Sequence, residues 1–330
     1  MKWICLIALC SGGAWSQSVS YNGNAAATGI LNDIHAVNNL EKSLAFYRDV
    51  FELDGKARIL PNTGIPALVD SPIVRLRIAV LDLPNTSFGL ELAEFSGVER
   101  KPVRLNVSDP GAGTLVSRVR DLDRVVDAAK NFGAEVITPS GAPIKLRPTA
   151  VGSRAILMRD PDGYLVEGEE VAPSDGSPSP GNVQTAGMRF AMADRNATLR
   201  FYGDLLGLKL NGGTEFRLNP TMNAFAGTPD GVEVRALNIN APGTNPLVFY
   251  EFKDALHTQR HHRVPDPGSP TISFRVKDLD GVLKRMRAVK TPIVSAGGRA
   301  VQSTPRIRSI FVEDPNGINV EFEETVEKRP

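Results

Sequence analysis

The chain repeats itself at a fixed spacing, and that repeat limits its fold more than any local motif does. Residues 38–53 read NNLEKSLAFYRDVFEL and residues 193–208 read ADRNATLRFYGDLLGL. Tyr202 stands 155 positions after Tyr47, and Asp194 stands 155 positions after Asn39. Self-similarity at one spacing means duplicated architecture, so any site has to be sought at matched places in both halves.

Asn39 and Asp194 can each cap a helix by accepting a hydrogen bond from an early backbone N–H. Beyond the first cap, Leu40, Leu44, Tyr47 and Phe51 fall on one helical face, with Glu41, Lys42, Arg48 and Glu52 on the other. Leu199, Tyr202 and Leu206 form the matching stripe in the second half. Extended runs at 30–37 and 188–192 precede the caps. Two weaker copies follow the same grammar. TLVSRV at 114–119 leads to Asp121-Leu122-Asp123, and TISFRV at 271–276 leads to Asp278-Leu279-Asp280, each pair announced by a loop reading DPG. Short β-like runs follow each helix, at 74–80 and 88–95, 153–158 and 164–170, 232–238 and 247–252, 307–312 and 318–322. The turns DPDG at 160–163 and DPNG at 314–317 join the last two runs of each half. The expectation is an α+β chain of two tandem domains, 30–172 and 183–325, each built from two βαβββ units. A Pro/Ser/Gly linker at 173–182 joins them, a segment at 17–29 leads in, and 326–330 form a tail.

The amino-terminus, MKWICLIALCSGGAWSQ, has one Lys, a short apolar run and then small residues, the layout of a secretory signal cut after Ser16. A secreted or periplasmic protein is expected. Cys5 and Cys10 both lie in that segment, so the chain after it has no thiol for disulfides, zinc–thiolate sites or a cysteine nucleophile. A net charge of +1 gives no electrostatic case for nucleic acid or an anionic membrane as partner. No later apolar run approaches the roughly 20 residues of a membrane span. There is no nucleophile elbow, Walker loop or dinucleotide fingerprint in a strand–helix context.

The cap-L-x-x-S/T-L-x-F-Y pattern, the Asp-Leu-Asp helix starts, and the endings DPDGYLVE and DPNGINVE resemble the vicinal oxygen chelate superfamily. That group includes glyoxalase I, bleomycin- and fosfomycin-resistance proteins and extradiol dioxygenases. The resemblance covers about residues 30–170 and 183–324. It implies paired βαβββ units curled into open, cup-shaped mixed sheets. It also implies metal ligands, commonly His, His and Glu, pointing into the cup from the first and later strands.

Carried onto this chain, the first ligand position is Asn32 in one half and Gly187 in the other. The second unit's opening strand supplies Thr114 and Thr271, and the last strand supplies Glu167 and Glu321. Glu91 fills a fourth position whose counterpart is Val248. Neither usual imidazole position is filled. His35 stands near one but one step out of strand parity with Asn32, and a bulge would be needed to turn it inward. The expected site therefore lies in the first domain's cup: Glu91 and Glu167 with Asn32 or Thr114. Glu321, beside Gly187 and Thr271, is its poorer counterpart. Such an oxygen set suits Mg²⁺, Ca²⁺ or Mn²⁺ better than zinc or iron. Glu167 or Glu91 would ligate the ion or act as general base. His257 and His261 have chelating i,i+4 spacing but sit among arginines before a proline loop. Arg154 and Arg308 recur six residues before each turn aspartate, where they could hold an anionic ligand or pair with a nearby carboxylate.

Two functions follow from the resemblance: a glyoxalase- or dioxygenase-like metalloenzyme acting on a small oxygen-bearing substrate, or a metal-free protein that binds a small molecule in the same cups. The Glu91/Val248 contrast points to one retained site. The halves could form a pseudo-dimeric monomer, or the chain a homodimer.

Overall fold

The structure, a computed structural model, describes residues 18–19, 26–60, 64–71, 74–146, 152–172, 179–228, 231–240, 247–253 and 261–326. Residues 1–16 and 173–178, where the export signal and most of the linker fall, lie outside the described residues.

Four βαβββ units follow one another. Unit one comprises β1 (Ala27–Val37), α1 (Leu40–Phe51), the short α2 (Ile65–Leu68), β2 (Arg75–Asp82) and β3 (Gly89–Ser96). Unit two has β4 (Gly113–Val119), α3 (Leu122–Phe132), β5 (Arg154–Arg159) and β6 (Leu165–Glu170). Unit three has β7 (Val183–Ala191), α4 (Arg195–Leu199), α5 (Pro220–Ala226), β8 (Glu233–Asn240) and β9 (Leu247–Phe252). Unit four has β10 (Pro270–Val276), α6 (Leu279–Ala288), β11 (Ile307–Glu313) and β12 (Asn319–Thr325).

All four expected caps are made. Asn39 accepts from the Lys42 N–H, Asp121 from Arg124, Asp194 from Asn196 and Ala197, and Asp278 from Gly281. Each is worth about 1 kcal/mol to its helix. The buried face of α1 is wider than the expected stripe, since Phe46 and Val50 join Leu40, Tyr47 and Phe51, while Leu44 is only partly covered. α4 departs from α1: it passes into a π-helical turn at Arg200–Leu205, where Gly203 replaces Arg48 of the first copy.

Within each unit the first strand runs parallel to the last, and the last pairs antiparallel with the one before it. The units then pair across the halves of the chain. β1 lies antiparallel to β10, joining units one and four, and β4 lies antiparallel to β7, joining units two and three. Two sheets result. One runs Val301–Thr304, β11, β12, β10, β1, β3, β2 and Arg58–Ile59. The other centres on β8, β9, β7, β4, β6 and β5. Each cup therefore draws half its wall from each domain.

The repeated DPG loops lock this arrangement. Gly111 donates its N–H to Ala191 O at 2.9 Å and Gly268 donates to Ala36 O at 2.8 Å, each bridging two units. Both glycines have φ of 83°, a left-handed conformation that strains other residues.

Strand alternation divides the interior. The helix-side core takes Tyr47, Tyr202, Phe190, Phe249, Phe274 and Phe322 and joins all four units in one cluster. The opposite faces line the cups. Ile34, Ala36, Ile78, Ala93 and Phe311 belong to the one–four cup, and Ala112, Leu157, Leu165, Met222 and Phe225 to the two–three cup.

Candidate functional site

The cross-pairing changes which residues meet. Ile34 of β1 stands opposite Glu91 on one side and Thr271 on the other, and Asn32 stands opposite Ser273, itself opposite Glu321. The one–four cup thus gathers Asn32, Glu91, Thr271 and Glu321 around one cavity. Thr114 and Glu167 lie on the two–three sheet, beside Arg189 and Gly187. The expected grouping of Glu91 with Glu167 in a first-domain cup is therefore corrected: the two carboxylates belong to different sheets. Glu321, expected beside Gly187, instead shares its cup with Glu91.

The one–four cavity has a volume of about 220 Å³. Ile34, Ile78, Ala93, Phe95 and Phe311 make apolar walls, and Ile65 and Leu68 of α2 close it over. That roof is seated on unit four. Ser295 Oγ donates to Leu68 O at 2.8 Å, and a Cβ on Gly64 would stand 2.4 Å from Gln302 O, so only glycine allows so close an approach. The polar end of the cavity is acidic, with Glu91, Glu321 and Glu323 all facing it. Burial first, and then the Glu323 charge, push Glu91 up to about 7 against the opposing pull of Arg58. Glu321 is held well above the usual carboxylate range by burial, Glu323 and Glu91. Glu323 is raised by burial despite Arg275. Asn32 Nδ2 donates to Glu91 Oε2 at 3.2 Å.

These donors do not make a preformed metal centre. Among the described residues, no group of three or more His, Cys, Asp and Glu side chains converges closely enough to hold an ion. Asn32 offers Glu91 its amide hydrogens, and the remaining positions are a hydroxyl and carboxylates that repel one another.

The two–three cup is nearly filled, with a cavity of only about 10 Å³. Met222 and Phe225 of α5 enter where α2 has only a roof, and Arg189 of β7 crosses the floor to an ion pair with Glu167. Arg189 also stands 3.7 Å from Glu169, which is 3.3 Å from Arg118. Burial raises the Glu167 pKa and Arg189 opposes the rise.

His35 does not turn inward. Asn32, Ile34 and Ala36 face the cup, whereas His35 is fully buried on the helix side. It stacks on Tyr164 at 3.4 Å between centroids, and its Nδ1 is 2.9 Å from Tyr47 Oη. Its Nε2 is 3.3 Å from Asp33 Oδ2 and its Nδ1 is 3.7 Å from Asp160, close enough for charge attraction but not aligned as hydrogen bonds. Burial opposes charging of the imidazole, but Asp33 and Asp160 together outweigh it and hold the pKa at about 9. This is an internal ionic cluster with no opening to a cup.

Arg154 is bonded to Asp123 and Glu170, and Arg308 to Asp280 and Glu324, in matching ion pairs against α3 and α6. Neither lines a cup cavity, so the anion-binding expectation finds no support from their position. His257 lies outside the described residues, and His261 sits 2.8 Å from Glu313. Sequence reasoning missed Arg189 and Glu323. Both become visible when the halves are aligned position by position, because Arg189 answers to Ile34 and Glu323 to Glu169.

A family model described as the Glyoxalase/Bleomycin resistance protein/Dioxygenase superfamily matches residues 32–167 and 188–322. Glyoxalase I from Zea mays superimposes with a TM-score of 0.53 at 16% identity, covering 90% of this chain and 92% of that one. A variant of the maize enzyme gives 0.58 at 16% identity, covering 90% and 92%. A putative dioxygenase from Bacillus subtilis gives 0.53 at 14% identity, covering 92% and 86%. No curated protein is similar enough in sequence to register as a relative. With both halves matched and the four-unit architecture shared, the chain belongs to the glyoxalase/bleomycin resistance protein/dioxygenase superfamily.

Proposed function

We propose that this protein is an exported small-molecule-binding member of its superfamily, using the one–four cup without a resident metal. The observation that carries the reading is the asymmetry between its cups. One holds a cavity of about 220 Å³ with apolar walls and an acidic end, and the other is packed to about 10 Å³. Ligand sites are concave, mostly apolar and furnished with a few convergent polar groups, as this one is. Export rests on residues 1–16 alone, and a cell-derived protein not starting near Gln17 would contradict it.

The second reading is a glyoxalase- or dioxygenase-like enzyme using a hard divalent cation such as Mg²⁺, Ca²⁺ or Mn²⁺. The facing of Glu91, Glu321 and Glu323 onto one cavity favours it, since such ions take oxygen ligands. Among the described residues no imidazole or thiolate lines the cup, which ranks this reading second, because a first-row transition metal would lack its preferred ligands.

The test is ligand-detected NMR of a small-fragment set on the chain from Gln17 onward, alongside Ala93→Phe, which fills the one–four cavity. Fragments that bind the parent should be lost in the variant, and Mn²⁺ added alone should not be retained. Hits that persist in Ala93→Phe would place binding elsewhere. Stoichiometric Mn²⁺ retention abolished by Glu91→Gln would favour the enzyme.

A further inference from the structure

The two cups carry the same acidic pair. Glu167 and Glu169 on β6 correspond to Glu321 and Glu323 on β12, and Arg118 on β4 corresponds to Arg275 on β10. In the two–three cup a second guanidinium completes the set: Arg189 pairs with Glu167 and approaches Glu169. Its position in the sheet, opposite Thr114, is that of Ile34 opposite Thr271 in the one–four cup. There the guanidinium is missing, the cavity is open, and a third carboxylate, Glu91, has been added at the place of Val248. The cations that bear on this acidic end are Arg275, near Glu323, and Arg58, near Glu91. Both are exposed, and although Arg58 lines the same cavity, neither makes an ion pair with these carboxylates as Arg189 does with Glu167 in its own cup.

Resting on the reading that the one–four cup binds a small molecule, we propose that its ligand is an organic cation. A guanidinium or ammonium head sits among Glu91, Glu321 and Glu323, where Arg189 sits in the other cup, and an apolar body lies against Ile34, Ile78 and Phe311. The chain thus contains its own ligand-bound analogue. The filled cup shows which group this carboxylate pair accepts, and the open cup has Ile34 where that group would stand. The head relieves the mutual repulsion of the carboxylates, and the body buries its own apolar surface against the apolar wall. A neutral head leaves the repulsion in place, and an anionic head adds to it. Because burial and crowding keep protons on the empty cup, seating a cation displaces them to solvent.

The experiment is calorimetric titration of the chain from Gln17 onward with hexylguanidinium, hexylammonium, hexanol and hexanoate, in two buffers of different ionisation enthalpy, with Mn²⁺ as a separate arm. The expected result is that the two cations bind about tenfold or more tighter than hexanol, the margin of a charge-assisted hydrogen bond. Hexanoate should be weakest, and proton release should show as buffer-dependent heat. Glu321→Gln should erase the advantage of the cations over hexanol. Ile34→Arg, which installs the internal guanidinium of the other cup, should abolish cation binding and raise Tm. Equal or tighter binding of hexanol or hexanoate would overturn the proposal while leaving a small-molecule cup standing. No cation binding at millimolar concentration, or unchanged hexylammonium affinity in Ile34→Arg, would also overturn it. So would Mn²⁺ bound in preference to both organic cations and lost in Glu321→Gln. Failure of the underlying reading shows differently, as fragments that bind Ala93→Phe as well as the parent.

Discussion

Replacing His35 with phenylalanine is expected to lower the unfolding free energy by about 3–5 kcal/mol, the loss seen when one partner is stripped from a buried ion pair. His35, Asp33 and Asp160 are all at or near zero exposure, so their charges have no water to fall back on. The second half of the chain shows the apolar alternative. Met188 and Phe190 stand at the positions of Asp33 and His35, and Ile318 at that of Tyr164, whose hydroxyl donates to Asp33. Asp314, counterpart of Asp160, persists there on Tyr202 Oη and the backbone N–H groups of Asn316 and Ile318. Asp160 has the same kind of partners in Tyr47, Asp162 and Tyr164. Asp33→Met combined with His35→Phe should therefore cost less than either change alone, and Tyr164→Ile should complete the exchange. Urea unfolding of the cycle should give a coupling of at least about 2 kcal/mol, as contacting partners do. Additive losses would contradict the cluster.

The same pair sets a pH dependence. The His35 pKa rises from 6.5 to about 9 on folding, so its contribution is whole below about pH 6.5 and disappears as pH climbs through about 9. Glu91 and Glu321, also raised on folding, erode stability in the same direction. The parent should lose Tm between pH 6.5 and 9 more steeply than His35→Phe, whose remaining slope belongs to the buried carboxyls raised on folding, Glu91, Glu321 and Glu167 among them.

The Arg189→Ile variant, which gives the two–three cup the residue found in the other, should also cost about 3–5 kcal/mol. Glu167 is 1% exposed, and removing the guanidinium leaves it buried beside Glu169 with Arg118 as the only cation within ion-pair reach of that pair among the described residues. Adding Glu167→Gln should recover most of the loss, because a neutral amide carries no uncompensated charge. Met222 and Phe225 still occupy the cup, so the loss is chiefly electrostatic. A cost below about 1 kcal/mol, the worth of an exposed pair, would mean that Arg189 does not hold the cup closed.

The units, their helix caps and their turns were legible in the sequence because each is fixed by neighbours a few residues apart. Asn39, Asp121, Asp194 and Asp278 announce helices through short-range hydrogen bonds. The pairing of units was not legible, because nothing near β1 states that β10 will lie beside it. Grouping Glu91 with Glu167 followed from chain order, whereas the cups follow from sheet order. Arg189 escaped notice because a charged residue in a strand reads as an exposed one. Only its replacement of Ile34 in an otherwise matched frame reveals its role. His35 carried a usable signal, since Asp33 and His35 share one face of a strand whose copy is Met188 and Phe190.

That the open cup spans both halves of the chain is tested most directly by an isotope-edited NMR titration of the Glu91 carboxyl. It should titrate near pH 7 in the parent. Glu323→Gln should bring it down toward the ordinary glutamate value, and Glu167→Gln should leave it where it is. A Glu91 pKa that ignores residue 323 and follows residue 167 would contradict the cross-paired cups and the site built on them.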